Sequence, residues 1–469
     1  MVLFISYKEF YKLVYSELIF LLVLFPVMTI LSFFDRSTEY KNLILIIGSI
    51  VFFAWGRPFA ICLIFSSVVL DWLFGKLAEK GSGKGLGRAT LGLDLIMNLG
   101  LLCVFGHNYL FDGSSLLSLS EQILPIGMAF YTLRGFSYVY DVYKGTIKSE
   151  KNIFCLLTYM VSLHLMIVGP MVHYGDVEPQ IRRREITGGK LNDGLVKIII
   201  GLGKTVILAE AFAQISKAGL DSGEITTVGS WLGMISFLVK YYFIFTGLCD
   251  MAYGLGLVNG FIYPENYTDI ESKGLFTGMV KSFNTTVIEF FEQIFGLNKD
   301  RKGVSAFVLT VLCGVVLSFW YEAKINFIVV GIAAALLICL EKAVLEKALS
   351  KLPGALKHIY QMLTALIIFG GVYFGSFSGY KNWLGTLMGI NTQYTLSVAV
   401  KNALLNNITL IVISFCIMCP FVKNKILDVT DNISQKSLKC YGAVRISKTA
   451  LTALVFVISI ITLAARAAG

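Results

Sequence analysis

The chain has 469 residues, of which 56% are hydrophobic and 15% charged, with a mean hydropathy of +0.73. Soluble domains are about half apolar and about 25% charged, so the composition excludes an ordinary soluble fold and points to a multi-spanning membrane protein. Forty Lys and Arg against 30 Asp and Glu leave a net charge of +10. In a membrane protein such an excess marks cytoplasmic loops, and no DNA- or RNA-binding motif accompanies it.

Spanning segments need about 17–25 apolar residues. In chain order they are predicted at Leu18–Phe34, Asn42–Trp55, Phe59–Phe74, Ala89–Phe105, Ile123–Tyr140 and Ile153–Val172. Later ones are predicted at Leu195–Ala213, Trp231–Thr246, Val304–Trp320, Ile325–Leu345, Ala365–Ser378, Leu404–Val422 and Ala450–Ala465. This gives an all-α polytopic protein of roughly eleven to thirteen tilted or re-entrant helices, several of them short. No soluble domain of useful size separates them, so residues 1–469 form one transmembrane domain in the cell membrane. Lys8 and Lys12 precede Leu18–Phe34, which is long enough to stay as a spanning helix and not a cleaved signal.

Basic loops orient the first half. Arg36 with Lys41, then Lys76, Lys80, Lys84 and Arg88, then Lys144, Lys148 and Lys151 fall on one side by alternation. The loop His107–Gln122 carries no Lys or Arg and belongs outside, as does the N-terminus. Ile153–Val172 would break this pattern by carrying Arg182, Arg183 and Arg184 outward. A re-entrant path helped by Gly169 and Pro170 avoids that, because broken backbone is tolerated where protein buries it. His164 within it reads as a core histidine.

Two glycine-rich stretches invite a nucleotide reading. Gly201–Thr205 lacks the glycine that a phosphate loop needs five residues ahead of Gly203, position 198 being Ile, and Gly81–Gly87 is a basic inter-helix loop. Nucleotide binding is therefore rejected. Nine scattered cysteines lie mostly in apolar runs, where a free thiol behaves as a small hydrophobe. The four histidines show no zinc-ligand spacing, and no bound metal or cofactor is expected.

The stretch Val311–Leu340 holds two apolar runs around a polar patch, Trp320, Tyr321, Glu322, Ala323 and Lys324, with Asn326 just beyond. Charges there must pair or line a wet cavity, or else the patch is a water-facing turn between two helices. The run Leu317–Trp320 followed by Ala323, Phe327 and Gly331 resembles the signature helix of the membrane-bound O-acyltransferases. Further pieces follow the alginate-acetylation and teichoic-acid D-alanylation branch of that family. They are Phe53–Pro58, Asn98–Leu102, Leu124–Thr132, Ser137–Gly145, Val168–Pro170 with Tyr174 and Pro179, Gly201–Glu210, Tyr242–Ala252 and Pro264–Asn266. Their shared order implies common descent.

The resemblance implies a ring of helices around a central tunnel. It also implies a cytoplasmic acyl thioester donor (acyl-CoA or an acyl-carrier protein) and a hydroxyl acceptor on an extracytoplasmic polysaccharide or cell-wall polymer. A cytoplasmic carrier and an extracytoplasmic SGNH-type or polymer-modifying partner are expected, besides the lipid bilayer. Both places where the family carries a histidine differ here: Asn284 stands at one and Tyr321 at the other. Ser282 and, in Tyr373–Ser376, Gly375 replace further family arginines, and Ile244 an aspartate. Trp320, Phe283, Lys281, Tyr242 and Asn326 are the expected tunnel lining.

In the family the histidine is a general base, a role suited to a pKa near 6.5. Tyr321 is a donor or an activated nucleophile more readily than a base, and Asn284 cannot take up a proton. Glu322 is a possible substitute base, although one helical step turns it about 100° from Tyr321. Asp250 is a second buried carboxylate, for which a structural hydrogen bond is the simpler role. Three functions stay open: an acyltransferase with a relocated base, a catalytically inactive relative that binds or regulates, and a lipid or polymer conduit.

Overall fold

A computed structural model describes residues 18–34, 37–54, 60–81, 85–101, 127–166, 168–222, 225–269, 274–297, 303–321, 325–390, 392 and 396–468. The protein is all-α, and its β structure among those residues is an isolated bridge between Tyr267 and Phe283. The first long helices are α1 (Thr38–Ala54), α2 (Ala60–Lys80), α3 (Gly85–Leu101) and α4 (Met128–Lys144). Next come α5 (Gly188–Gly203) and α6 (Thr227–Val258), then the short α7 (Phe276–Ser282) and α8 (Thr285–Ile294). The second half holds α9 (Val304–Tyr321), α10 (Ile325–Leu340), α11 (Gly354–Phe374) and α12 (Leu438–Ala468).

Among the described residues five helices are long and apolar enough to cross a membrane: Ile61–Lys80, Thr227–Val258, Ile325–Leu349, Gly354–Phe374 and Leu438–Arg466. Val398–Asn406 and Ile408–Met418 make a sixth if the pair, bent by 66°, is one span. In α12 only 11% of the apolar window is buried, and Leu451, Leu454, Val457 and Ile461 lie open. Water would penalise that face, whereas hydrocarbon satisfies it while the helix keeps its own backbone hydrogen bonds. The protein is a multi-pass membrane protein.

Several elements differ in shape from the apolar runs that foretold them. The expected span Leu404–Val422 breaks twice, at Asn407 and at Cys419. Asn407 turns its amide to Gln214 Oε1 at 3.1 Å, and Pro420 opens the next helix because a proline lacks the N–H an uninterrupted helix would need. Ile153–Val172 is likewise no single helix. Ile153–Val161 ends at Ser162, Leu163–Met166 adds one turn, and extended chain leads to the polar helix Tyr174–Arg182. His173 at the head of that helix is tied to Asp141 at 2.7 Å. Glu79 and Ser149 are hydrogen-bonded, so the end of α2 lies beside the segment that follows α4.

Helices α5 and α6 run antiparallel in close contact. Gly194 faces Gly254 and Gly201 faces Gly247, each pair seven residues, or two turns, from the next. A Cβ on Gly247 would come within 2.6 Å of the Gly201 carbonyl oxygen, and one on Gly254 within 2.5 Å of that of Gly194. Gly201 thus serves helix packing, which accounts for its place in a stretch that mimics a phosphate loop. Gly247→Val must push backbone against backbone and is expected to cost about 1–3 kcal/mol or more. A lowered unfolding midpoint of the detergent-purified protein would register it. Gly92→Ala, with open space around the new methyl, should cost nothing.

Candidate functional site

A cavity of about 200 Å³ lies between α6, the α7–α8 corner, α9, α10 and α11. Its room comes from small residues: Gly314 of α9 faces Gly331 of α10, and Ala334 and Ala335 extend the gap. Most of the wall is apolar, with Tyr242 and Phe283 stacked edge to face at 5.8 Å. For scale, an apolar cavity of about 150 Å³ holds benzene, so this one takes a group larger than an acetyl.

Polar chemistry enters the cavity at the α7–α8 corner. Asn284 is 3% exposed and is the one non-glycine residue with positive φ (53°) among those described. Asparagine tolerates this left-handed geometry better than other residues. The corner is over-determined: Asn266 Nδ2 donates to Asn284 Oδ1 at 2.8 Å, while Asn266 Oδ1 accepts from the Thr286 N–H and hydroxyl at 3.3 and 2.6 Å. Thr285 N–H adds a bond to the Asn266 carbonyl at 3.1 Å. What remains is the Asn284 Nδ2 group, buried with no partner among the described residues. An unmet amide donor on a cavity wall is a built place for an oxygen acceptor.

Three charged residues complete the site, two of them as a pair. Lys281 and Glu292 pair at 2.8 Å, with side chains 47% and 21% exposed. Glu292 is a carboxylate on the cavity wall that sequence reasoning did not single out. Nothing in its spacing from Asn284, eight residues or about 12 Å of helix away, signals that place. Lys342 and Cys313 also line the wall.

The structure therefore gathers Asn284, Lys281, Phe283 and Tyr242 around one space. Asp250 belongs to a different assembly. Its side chain is 4% exposed and takes Lys204 Nζ at 2.6 Å, Lys197 Nζ at 3.3 Å and the Tyr267 hydroxyl at 3.0 Å. Both of its oxygens are engaged. Trp320 is not part of the cavity wall; it donates its indole N–H to the Ala129 carbonyl at 2.7 Å and packs on Phe130 and Phe291. Asn326 is half-buried in the first turn of α10. The Tyr321 side chain, Glu322 and Lys324 lie outside the described residues. His164 is a buried core residue whose Nε2 meets the Tyr263 hydroxyl at 2.8 Å.

Residues 90–377 match the sequence profile of MBOAT, the membrane-bound O-acyltransferase family. The chain is 28% identical over 382 residues to "Probable alginate O-acetylase AlgI" of Pseudomonas syringae pv. tomato, covering 78% of this chain and 72% of that one. With the protein of the same name from Azotobacter vinelandii the identity is 26% over 382 residues, covering 77% and 75%. It is 22% identical over 380 residues to "Peptidoglycan O-acetyltransferase" of Helicobacter pylori, covering 72% of each. With the profile spanning more than half of the sequence and the α6–α11 cavity inside it, the chain belongs to the membrane-bound O-acyltransferase family, in the branch that holds these alginate O-acetylases.

Proposed function

We propose that the protein serves the transfer of an acyl group from a cytoplasmic thioester to a hydroxyl of an extracytoplasmic polymer, with the acyl group held in the α6–α11 cavity. The observation that carries this reading is the buried, unpartnered Asn284 Nδ2 on an apolar wall. It supplies a donor for the thioester carbonyl oxygen, the atom on which charge develops when a hydroxyl attacks. The attacking oxygen forms the new C–O bond, the C–S bond breaks, and the thiolate leaves. Glu292 is the wall carboxylate suited to take the hydroxyl proton and pass it to the thiolate. Relatives named for acetylation of alginate and of peptidoglycan support a polysaccharide acceptor, and an acyl-CoA or acyl-carrier donor with an SGNH-type partner outside fits the same scheme.

A second reading has one observation in its favour. Asn284 cannot accept a proton, and Glu292 is already engaged by Lys281. A member that binds the acyl group without turning it over would show the same geometry. Binding comes first in either case. The purified protein should be labelled by a photoreactive acyl thioester, and Asn284→Asp, which replaces the donor by an acceptor, should weaken labelling about tenfold. Unchanged labelling in that variant would remove the cavity from the scheme.

A further inference from the structure

Far along the chain from that cavity, α2, α3 and α4 close around polar side chains that meet no counter-ion among the described residues. Asp71 of α2 and Asp94 of α3 are both fully buried. A single amide joins them: Asn98 Nδ2 donates to Asp94 Oδ1 at 3.2 Å and to Asp71 Oδ1 at 3.4 Å, and also to the Asp94 carbonyl at 3.1 Å. Asp71 Oδ2, Asp94 Oδ2 and Asn98 Oδ1 meet no N–H or hydroxyl donor among the described residues.

The third helix approaches from the opposite side. Asp71 Oδ2 lies against Gly135 of α4 so closely that a Cβ there would overlap it. Ser67 and Tyr131 lie one turn before Asp71 and Gly135 on their helices, and therefore on the same faces. Both are buried, and among the described residues neither hydroxyl has a partner other than the other hydroxyl beside it. The Tyr131 hydroxyl sits beside Ser67 and in the field of Asp71.

No cation answers these carboxylates among the described residues. Arg134, next to Gly135, directs its guanidinium to the carbonyls of Tyr159 at 2.8 Å and Phe130 at 3.4 Å. Lys76 lies over the Trp72 ring at 3.2 Å. Tyr138 of α4 packs on Gly75 and accepts from the Glu150 N–H, and Tyr159 of the adjoining helix donates to the Val172 carbonyl. Two bare carboxylates sharing one amide in the protein interior, Asp71 in the middle of the apolar helix Ile61–Lys80, repel each other and cannot both stay uncompensated.

We propose that Asp71, Asp94 and Asn98, with the Ser67 and Tyr131 hydroxyls, form an intramembrane binding site for a small monovalent cation, a sodium ion or a proton. The donor set is all oxygen, which suits a hard cation and not a soft metal. Calcium takes about six to eight oxygens and magnesium a near-ideal octahedron with retained waters, more than the five free oxygens here supply. Ionisable residues inside a spanning bundle commonly mark ion sites or proton relays. This site stands apart from the acyl-transfer reading and does not depend on it.

The test uses the full-length protein in detergent. Unfolding midpoints are compared in sodium, potassium and choline chloride at one ionic strength, and the infrared spectrum is searched for a protonated carboxyl stretch. A sodium site gives a saturable rise of a few degrees in sodium alone, absent in Asp94→Asn. A proton site gives no sodium effect but a carboxylic-acid band, lost in the Asp71→Asn/Asp94→Asn double variant. A wild-type protein with neither a sodium-specific rise nor that band overturns the proposal, whether or not the variants fold.

Discussion

Asp250→Ala is expected to lower the stability of the protein by about 3–5 kcal/mol, the usual scale when one partner of a buried ion pair is removed. Lys204 is only 11% exposed and would lose its carboxylate, keeping only the Tyr267 hydroxyl at 3.2 Å. Lys197 would suffer less, because Glu265 holds it at 3.0 Å. Since folded domains are stable by about 5–15 kcal/mol in all, the variant should give little monodisperse protein on size exclusion. Asp250→Leu combined with Lys204→Met removes both charges and should recover most of the yield, because a matched apolar pair avoids the cost of a stranded ion. A single Asp250→Ala protein with wild-type yield and midpoint would show that Lys204 finds water and that the network contributes little.

How far the sequence reached is seen in particular residues. The expected span Val304–Trp320 stops one residue short of the observed helix Val304–Tyr321, because an apolar run bounded by a glycine and a charge leaves little choice. Asn284, Phe283, Lys281 and Tyr242 were named from their places in motifs and do share one cavity. Glu292 escaped because its importance depends on which face of α8 meets α9, a fact of packing and not of spacing. Glu341 shows the same limit more sharply. It sits at the end of a long apolar run, where it looks like a boundary charge. In the fold it is 1% exposed and accepts from the Phe276 and Thr277 N–H groups at 2.8 Å and from the Tyr360 hydroxyl at 2.9 Å. It thereby caps α7 from 65 residues away. The orphan N–H groups of a helix start need an acceptor, but nothing local says that the acceptor comes from α10's end. The Gly201–Gly247 crossing and the Asp71–Asp94 pair are equally non-local.

Whether the protein turns its acyl group over is decided at Glu292. Glu292→Gln keeps the shape and removes the proton acceptor, and it also releases Lys281 from its 2.8 Å pair. If Glu292 is the base, acyl transfer from a thioester to a polyol by the purified protein should fall about 10²–10⁴-fold. Labelling by the photoreactive thioester should change little, because Asn284 and the apolar wall are untouched. A loss of binding in step with turnover would instead assign Glu292 to holding the donor. Tyr321→Phe provides the comparison, since it removes only a hydroxyl at the second motif position; a fall of about 10²-fold there, with Glu292→Gln harmless, would move the chemistry to the end of α9. A wild-type protein that binds the thioester and never transfers it would select the non-catalytic reading. In that case Asn284→His with Tyr321→His offers the converse experiment: gain of transfer would show that the cavity lacks nothing but a group able to take a proton near neutral pH.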